Sequence, residues 1–260
     1  MLIINLILKN WPKGTVALQP WFESQGAYQQ LLSRYEKSEW IERIGKGAYT
    51  RSGDKVDWTG ALHPIQYQDD KPIHVGAKTA LELRGKSHYV ALGIDSRTTV
   101  YLFSPPNIRL PKWFSSRNWG VKVELYATEL FPESFYLGIS DINIDTFSIK
   151  VASPERAMME YLHLIPHKES LDEASKVFEN LYTLRSEIVQ KLLENCSSIK
   201  VKRLFMFLSD YFRFPWAERI DTSKIDFGKG KRKITDGFFD PKYQITIPLQ
   251  FKPNTEEAEA

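Results

Sequence analysis

Residues 17–51 constrain the fold most, because they predict a winged helix-turn-helix. The second helix is predicted over residues 28–40, where apolar residues recur at i, i+3, i+4 and i+7 and form one stripe for packing against a core. These residues are Tyr28, Leu31, Leu32 and Tyr35. A shorter helix is predicted over residues 16–24. Gly26 between the two suits a helix end at which the chain reverses direction.

Two β-prone runs follow this helix, at residues 41–44 and 48–51, and predict a hairpin. Gly45-Lys46-Gly47 forms the turn between them. Lys46 therefore stands at the tip, the position at which a wing would carry a phosphate contact.

The polar face of the second helix repeats the helical spacing with glutamine, serine and cations and carries no carboxylate: Gln30, Ser33, Arg34 and Lys37, with Gln29 beside them. Gln and Arg can pair in bidentate fashion with adenine and guanine edges, and Ser and Lys contact phosphate or bases. This face suits the major groove of DNA. However, Glu36, Glu39 and Glu42 dilute the positive charge, and charge-poor winged helices also dock proteins. Both interpretations stay open on local physics.

Composition limits the class of protein. A chain of 260 residues with 42% hydrophobic residues can bury one large core or two ordinary ones. A net charge of +3 does not by itself indicate nucleic acid. Cys196, the single cysteine, excludes disulfides within the chain and thiolate zinc sites and suits a reducing compartment. Without a stretch that could span a bilayer, a soluble cytoplasmic protein is expected.

The fold class predicted is α+β, with an N-terminal winged helix-turn-helix followed by a larger domain. The predicted bounds are 1–57 for the winged helix, 58–72 for a helix and linker, 73–253 for the C-terminal domain and 254–260 for an acidic tail. Strand-like runs at 89–92, 100–103, 121–127 and 147–151 predict a small mixed or antiparallel sheet. Helical patterns at 154–164, 171–181, 188–193 and 201–212 predict a C-terminal helical bundle.

No pattern supports catalysis, a cofactor or a metal site. The motif A-x-x-x-x-G-K-S at residues 80–87 has a helix before its glycine and a strand-like run after it, the reverse of a phosphate-binding loop. Gly85 is therefore predicted to end a helix. His163 and His167 are spaced i, i+4, but Pro166 separates them and no glutamate adjoins His163, which argues against a zinc site.

A C-terminal basic cluster is the remaining candidate site, and it comprises Lys200, Lys202, Arg203, Lys229, Lys231, Arg232 and Lys233. Aromatic residues lie among these cations in the sequence. The cluster is either a solvated rim over a packed aromatic core or a second surface for nucleic acid or an acidic partner.

The order of motifs resembles the AbiEi antitoxins of bacterial type IV toxin–antitoxin systems. The matching motifs are L-S-R-Y at 32–35, W-I-E-R-I-G-K-G-A-Y at 40–49, G-A-K-T-A-L at 76–81, S-P-E-R-A at 153–157 and V-K-R-L at 201–204. Their succession covers nearly the whole chain. One departure is Ser38-Glu39, where the family pattern leads us to expect Ser-Gly before Trp40. Glu39 places a carboxylate near the DNA face.

The resemblance implies that the winged helix binds inverted repeats in double-stranded promoter DNA and represses its own operon. It implies that residues 73–253 form an antitoxin domain that relieves a nucleotidyltransferase-like toxin, often without a stable direct complex. No enzyme activity, cofactor, small-molecule substrate or membrane is expected.

Two hypotheses follow. In the favoured one, a DNA-binding autorepressor and antitoxin, Gln29, Gln30 and Arg34 contact bases. Phosphate contacts are then assigned to Ser33, Lys37, Arg43, Lys46 and Arg51. The alternative is a winged-helix protein-interaction module, a nucleic-acid enzyme with such a module, or another transcriptional regulator without antitoxin activity.

Overall fold

A computed structural model describes residues 3–86, 99–133 and 135–252 of the chain. The chain divides into two compact units. The first comprises Met1–Val75, Ala91–Thr128 and Ile139–Val151, and the second comprises Gly76–Val90, Glu129–Gly138 and Ala152–Ala260. Both helices and strands occur throughout, so the predicted α+β class is confirmed. The predicted domain bounds at residues 57, 72 and 253 stay a prediction. None of the described helices is long and apolar enough to cross a membrane.

Within the described residues, the helices are α1 (Ile3–Asn10), α2 (Gln19–Ser24), α3 (Gln29–Lys37), α4 (Trp58–Tyr67), α5 (Ala77–Leu83), α6 (Lys112–Ser115), α7 (Pro154–Leu164), α8 (Leu171–Phe178), α9 (Ser186–Asn195) and α10 (Ile199–Tyr211). The strands are β1 (Ala17–Leu18), β2 (Ile41–Gly45), β3 (Ala48–Arg51), β4 (His74–Val75), β5 (Thr99–Ser104), β6 (Lys122–Ala127), β7 (Ile139–Ile144), β8 (Phe147–Ala152), β9 (Arg232–Lys233), β10 (Phe238–Asp240) and β11 (Ile245–Ile247).

The winged helix is built from α1 to α3 and a three-stranded antiparallel sheet in the order β1-β3-β2. The predicted hairpin is confirmed as β2 and β3. The predicted helix over residues 16–24 is wrong in its first part, because Ala17 and Leu18 form β1 and only residues from Gln19 onward are helical. Ala17 pairs with Tyr49 of β3. A strand of two residues forms only because it pairs with β3, so the periodicity of its own sequence does not predict it.

Aromatic side chains dominate the core of the winged helix. Its buried residues are Ile7, Trp11, Ala17, Phe22, Ala27, Leu32, Ile41 and Tyr49. Phe22 lies edge-on to both Trp11 and Tyr49, with ring centroids 5.1 Å and 5.6 Å apart. Such edge-to-face pairs add about 0.5–1.5 kcal/mol each beyond the burial of apolar area. The cluster fixes α1 to α3 and the wing relative to one another.

The turn between α2 and α3 follows the predicted role of Gly26. Gly26 has φ 83°, and its N–H donates to the carbonyl of Glu23. The N–H of Ala27 donates to the carbonyl of Phe22. These two bonds form a Schellman motif, in which a left-handed residue ends one helix and redirects the chain.

The first unit also contains a five-stranded mixed sheet in the order β6-β5-β4-β8-β7. Strand β4 is antiparallel to β5 and parallel to β8, and β5 is parallel to β6. Sequence analysis predicted β5, β6 and β8 but missed β4, β7 and the short helix α6. The strand predicted over residues 89–92 and the tail at 254–260 lie outside the described residues.

Helix α4 is capped by Asp57, whose side chain accepts from the N–H groups of Thr59 and Gly60. Most of this helix is buried. Gln66, fully buried, donates to the carbonyls of Ile73 and Lys150 and accepts from the Lys150 N–H. Residues 58–67 therefore belong to the core of the first unit and do not act as a loose connection.

The second unit is arranged around α7, which contacts α5, α8, α9 and α10. Ser153 precedes α7 and Pro154 opens it. Gly85 ends the predicted helix α5 with φ 66°, as expected of a helix C-terminal residue. The packing of α5, α8, α9 and α10 on α7 confirms the predicted helical bundle. The remaining strands form a small sheet in the order β10-β11-β9.

Helix α3 ends three residues earlier than predicted, in a second Schellman motif. The Glu39 N–H donates to the carbonyl of Glu36, and the Trp40 N–H donates to that of Tyr35. Glu39 itself has φ 56°. It thus occupies the left-handed position at which the family pattern leads us to expect glycine. A side chain with a Cβ pays a steric penalty of about 1–2 kcal/mol there.

We therefore expect Glu39→Gly to raise the free energy of unfolding by about 1 kcal/mol, because glycine adopts this backbone conformation without the Cβ clash. Glu39→Ala is the matched control, since it removes the same carboxylate but keeps the Cβ. Urea denaturation of the full chain measures both variants. Equal stabilisation by glycine and alanine would mean that the charge, and not the backbone, is the source of the effect.

Candidate nucleic-acid interface

Helix α3 presents a polar face directly away from the core of the winged helix. Leu32 is its one fully buried residue. At about 100° per residue, Gln30, Arg34 and Lys37 lie within about 40° of the direction opposite Leu32. All three are exposed. The structure thus brings together the three long polar side chains that the sequence assigned to DNA.

Glu36 does not interrupt this face. It lies about 40° from Leu32 around the helix and about 160° from Arg34. Gln29 lies on the same side as Glu36, about 60° from Leu32 and about 120° from the centre of the outward face, so it does not share that face although its side chain is exposed. Ser33 is exposed, and its hydroxyl donates to the Gln29 carbonyl one turn earlier at 3.0 Å.

Tyr28 was predicted to pack in the core, and this prediction is wrong. Its side chain is 68% exposed, while Leu31 and Tyr35 are half-buried. The reason is that α3 begins at Gln29, so Tyr28 takes an extended backbone conformation at the N-cap and leaves the helical stripe. An exposed tyrosine at the start of α3 is a candidate contact residue that periodicity alone assigned to the wrong side.

The wing supplies two exposed cations. Lys46 lies in the turn between β2 and β3, as predicted, and Gly47 beside it has φ 69°. Arg43 is exposed on β2, with its guanidinium carbon 5.7 Å from the ring centroid of Tyr49. Both side chains are available to a phosphate backbone alongside α3.

Arg51 differs from them because it is half-buried and contacts residues of the winged helix, and its assignment to phosphate stays a prediction. Its Nη2 donates to the carbonyl of Leu8 at 2.6 Å, and its guanidinium lies 5.6 Å from the ring centroid of Trp11. Burial lowers its pKa. Arg51 therefore ties β3 to the end of α1 and to the following loop, a structural role within the winged helix.

The C-terminal basic cluster divides into an internal part and a surface part. Arg203 is 2% exposed, and its guanidinium donates to four backbone carbonyls. These are the carbonyls of Phe227, Gly228, Gly230 and Gln244, at 2.8, 3.1, 2.6 and 3.2 Å. Lys202 is also buried and donates to the carbonyl of Asp226 at 2.9 Å. The prediction that Lys202 and Arg203 form a surface is wrong, because both attach α10 to the chain that follows it.

Lys200 is half-buried and donates to the carbonyls of His163 and Ile165. The surface part of the cluster is the exposed set Lys229, Lys231, Arg232 and Lys233. Within this set, the Lys231 ammonium lies 4.9 Å from the ring centroid of Phe239, and Lys233 pairs with Asp236 at 2.5 Å. Whether these four bind an anionic partner stays a prediction.

The S-P-E-R-A motif also has a structural explanation. Burial opposes ionisation of Glu155, but hydrogen bonds from Arg185 outweigh it and hold the pKa of Glu155 at about 2. Arg156 bonds Glu160 at 2.7 Å, and its guanidinium lies 4.6 Å from the ring centroid of Phe131. The motif thus pairs its charges within the second unit.

Metal and thiol chemistry find no support in the described ranges. No group of three or more His, Cys, Asp or Glu side chains there is placed to hold a metal ion. Burial raises the pKa of the Cys196 thiol to about 11, so the thiolate that reacts or ligates is scarce at neutral pH.

Two family models together match most of the chain. Residues 97–248 match a model described as a transcriptional regulator, the AbiEi antitoxin of a type IV toxin–antitoxin system. Residues 2–92 match a model described as the N-terminal domain of the AbiEi antitoxin transcriptional regulator. No curated protein sequence gives a significant match.

A solved structure shares the fold. It is the crystal structure of the RV2827C protein from Mycobacterium tuberculosis, with a TM-score of 0.58 and 12% sequence identity. The similarity covers 94% of this chain and 89% of that one. At this identity the likeness concerns the fold alone.

The internal position of Arg203 gives a prediction about stability. Arg203→Met removes the side chain that holds four backbone carbonyls of the following chain segment to α10, so we expect the free energy of unfolding to fall by about 3 kcal/mol. Lys229→Ala, in the exposed part of the same cluster, is the control and should change it by less than about 0.5 kcal/mol. Thermal unfolding of the full chain measures both. Similar small effects for the two variants would contradict the internal role of Arg203.

Proposed function

Because the chain belongs to the AbiEi antitoxin family of transcriptional regulators, we propose that its winged helix binds inverted repeats in the promoter of its own operon and represses transcription. The observation that carries this proposal is the outward face of α3. Gln30, Arg34 and Lys37 are exposed there together, opposite the single buried anchor Leu32.

The dimensions of α3 suit the major groove. A helix of nine residues is about 13 Å long, and the groove is about 12 Å wide. Arg34 can donate two hydrogen bonds to guanine, and Gln30 can pair with adenine. Gln29 lies outside this face, so the proposal assigns the base contacts to Arg34 and Gln30. In an inverted repeat each half-site receives one such helix.

In this proposal, residues of α3 and of the wing also contact DNA phosphates. Lys37 and Ser33 lie on α3 itself, while Arg43 and Lys46 lie on the wing. Phosphate contacts supply affinity and register without sequence information, whereas Arg34 and Gln30 supply the preference for particular bases. Tyr28, exposed at the start of α3, adds a large side chain with a hydroxyl to the same surface.

The second part of the proposal concerns the toxin. Residues 97–248 match the antitoxin family model, which supports a role in counteracting the toxin of the same operon. We infer that this toxin is nucleotidyltransferase-like and that the chain relieves it without a stable complex. The second unit then acts through its folded surface, with no catalytic step of its own.

An alternative function is protein docking by the winged helix. The exposed aromatic residues at either end of α3 favour it, since Tyr28 is 68% and Trp40 is 48% exposed. Tyrosine and tryptophan are enriched at protein interfaces. In that case the loss of Arg34 would leave DNA binding unchanged, while the loss of Tyr28 would weaken capture of a protein.

The roles of Arg34 and Lys46 make separate predictions. Arg34→Ala should weaken binding to the DNA upstream of the protein's own gene by about 1–3 kcal/mol and relax specificity. Lys46→Ala should weaken all duplexes alike and reduce the slope of log affinity against log salt by about 0.9. Fluorescence anisotropy with the promoter duplex and a scrambled duplex of equal length distinguishes the two. Identical losses on both duplexes for both variants would contradict the assigned roles.

Antitoxin activity is tested by co-expression with the toxin encoded beside the gene, each from an unrelated inducible promoter. We expect the chain to restore growth, and Arg34→Ala to restore it equally, because relief of the toxin does not require operator reading. A chain that accumulates in folded form yet restores no growth would contradict the antitoxin role and leave the repressor role in place.

A further inference from the structure

The wing packs directly on helix α6, which comes from a distant part of the sequence. A Cβ atom placed on Gly45 would lie 2.5 Å from the Cβ of Trp113 and 3.2 Å from its Cα. Only glycine permits this approach. Gly45 immediately precedes Lys46 at the tip of the wing, and Lys112 immediately precedes Trp113.

This contact places two exposed lysines near each other. The Cα atoms of Gly45 and Trp113 are within about 5 Å, and consecutive Cα atoms are about 3.8 Å apart. The Cα atoms of Lys46 and Lys112 are therefore separated by about 12 Å at most. DNA carries one phosphate per strand for about every 3.4 Å of its axis, so both side chains can reach phosphates of one stretch of backbone.

All charged side chains in the segment around α6 are cationic. Residues 99–123 contain no aspartate or glutamate. Their cations are Arg109, Lys112, Arg117 and Lys122. Lys122 pairs with Glu124 at 2.5 Å. Arg109, Lys112 and Arg117 are exposed, and none of these three forms an ion pair with another residue in the described part of the chain.

The segment is also held in one conformation. Trp113 and Phe114 are buried, and the Trp119 indole N–H donates to the Phe114 carbonyl at 2.9 Å. The Arg117 guanidinium carbon lies 5.5 Å from the ring centroid of Trp119. A cationic loop that is already ordered loses less conformational entropy when it binds a polyanion.

We propose that the α6 segment, residues 105–120, is a second DNA-contacting element, which extends the phosphate contacts of the wing through Lys112, Arg117 and Arg109. This inference rests on the proposed function, because it needs α3 and the wing to be seated on duplex DNA. We assign its cations to phosphates and not to base edges, so its contribution is to affinity and to the length of DNA covered. It lies in the sequence region matched by the antitoxin model, yet it serves the unit that contains the winged helix.

The test is a double variant of the full chain, Lys112→Ala with Arg117→Ala, studied with the promoter duplex and with a scrambled duplex of equal length. Loss of two phosphate contacts should reduce the salt slope by about 1.8 on both duplexes. Lys191→Ala with Arg219→Ala is the matched control, because it removes one exposed lysine and one exposed arginine from the second unit. This control should keep the wild-type slope.

A hydroxyl-radical footprint on the promoter duplex provides a second readout. The α6 double variant should lose protection of backbone sugars beyond those covered by the wing, while protection over the half-site contacted by α3 persists. Thermal unfolding at the wild-type temperature shows that the variant is folded.

The outcomes separate the two proposals. If Arg34→Ala and Lys46→Ala weaken binding while the α6 double variant matches its control in slope and footprint, the inference about α6 is overturned and the repressor role stands. If none of these variants changes DNA binding, the proposed function itself fails.

Discussion

Helix α3 is anchored by one fully buried side chain, and the proposed function depends on this constraint. Leu32 enters an aromatic core made by Trp11, Phe22 and Tyr49, while the two Schellman motifs fix the approach to and the exit from the helix. A short helix held at one stripe and at both ends needs no other packing. Its outward face is therefore left to polar residues, and it can meet a rigid duplex without rearrangement.

The Lys and Arg side chains of this chain fall into two groups, buried ones that bind backbone carbonyls and exposed ones that can bind an anion. Lys202 and Arg203 are buried and donate to backbone carbonyls within the second unit, whereas Arg34 and Lys46 are exposed. A guanidinium that is desolvated must satisfy its donors internally, because an unpaired buried charge is too costly to retain. The net charge of the chain therefore says little about where an anion can bind.

Local sequence patterns predicted the parts of the fold that local physics determines. The hairpin about Lys46 and the helix ends at Gly26 and Gly85 follow from turn and cap chemistry, which glycine and its neighbours set. Strand β1 and helix α6 were missed, since each depends on partners far away in sequence. Of the candidate site, the exposed face of α3 and the wing tip were placed correctly. Tyr28 was misplaced because the helix start was set one residue too early.

The buried cations could have been found from one pattern. Residues 201–209 of α10 are all buried, and apolar residues surround the helix on every side. A helix that is hydrophobic all round lies inside a fold, so Lys202 and Arg203 had to find internal acceptors.

The winged helix also depends on residues that are distant in the sequence. Gly60 accepts from Val16, Gln68 accepts from Leu18, and Trp113 fills the space above the wing. Cutting the chain after residue 57 would remove these contacts and destabilise the winged helix. Point substitutions on the intact chain therefore separate DNA binding from antitoxin action more cleanly.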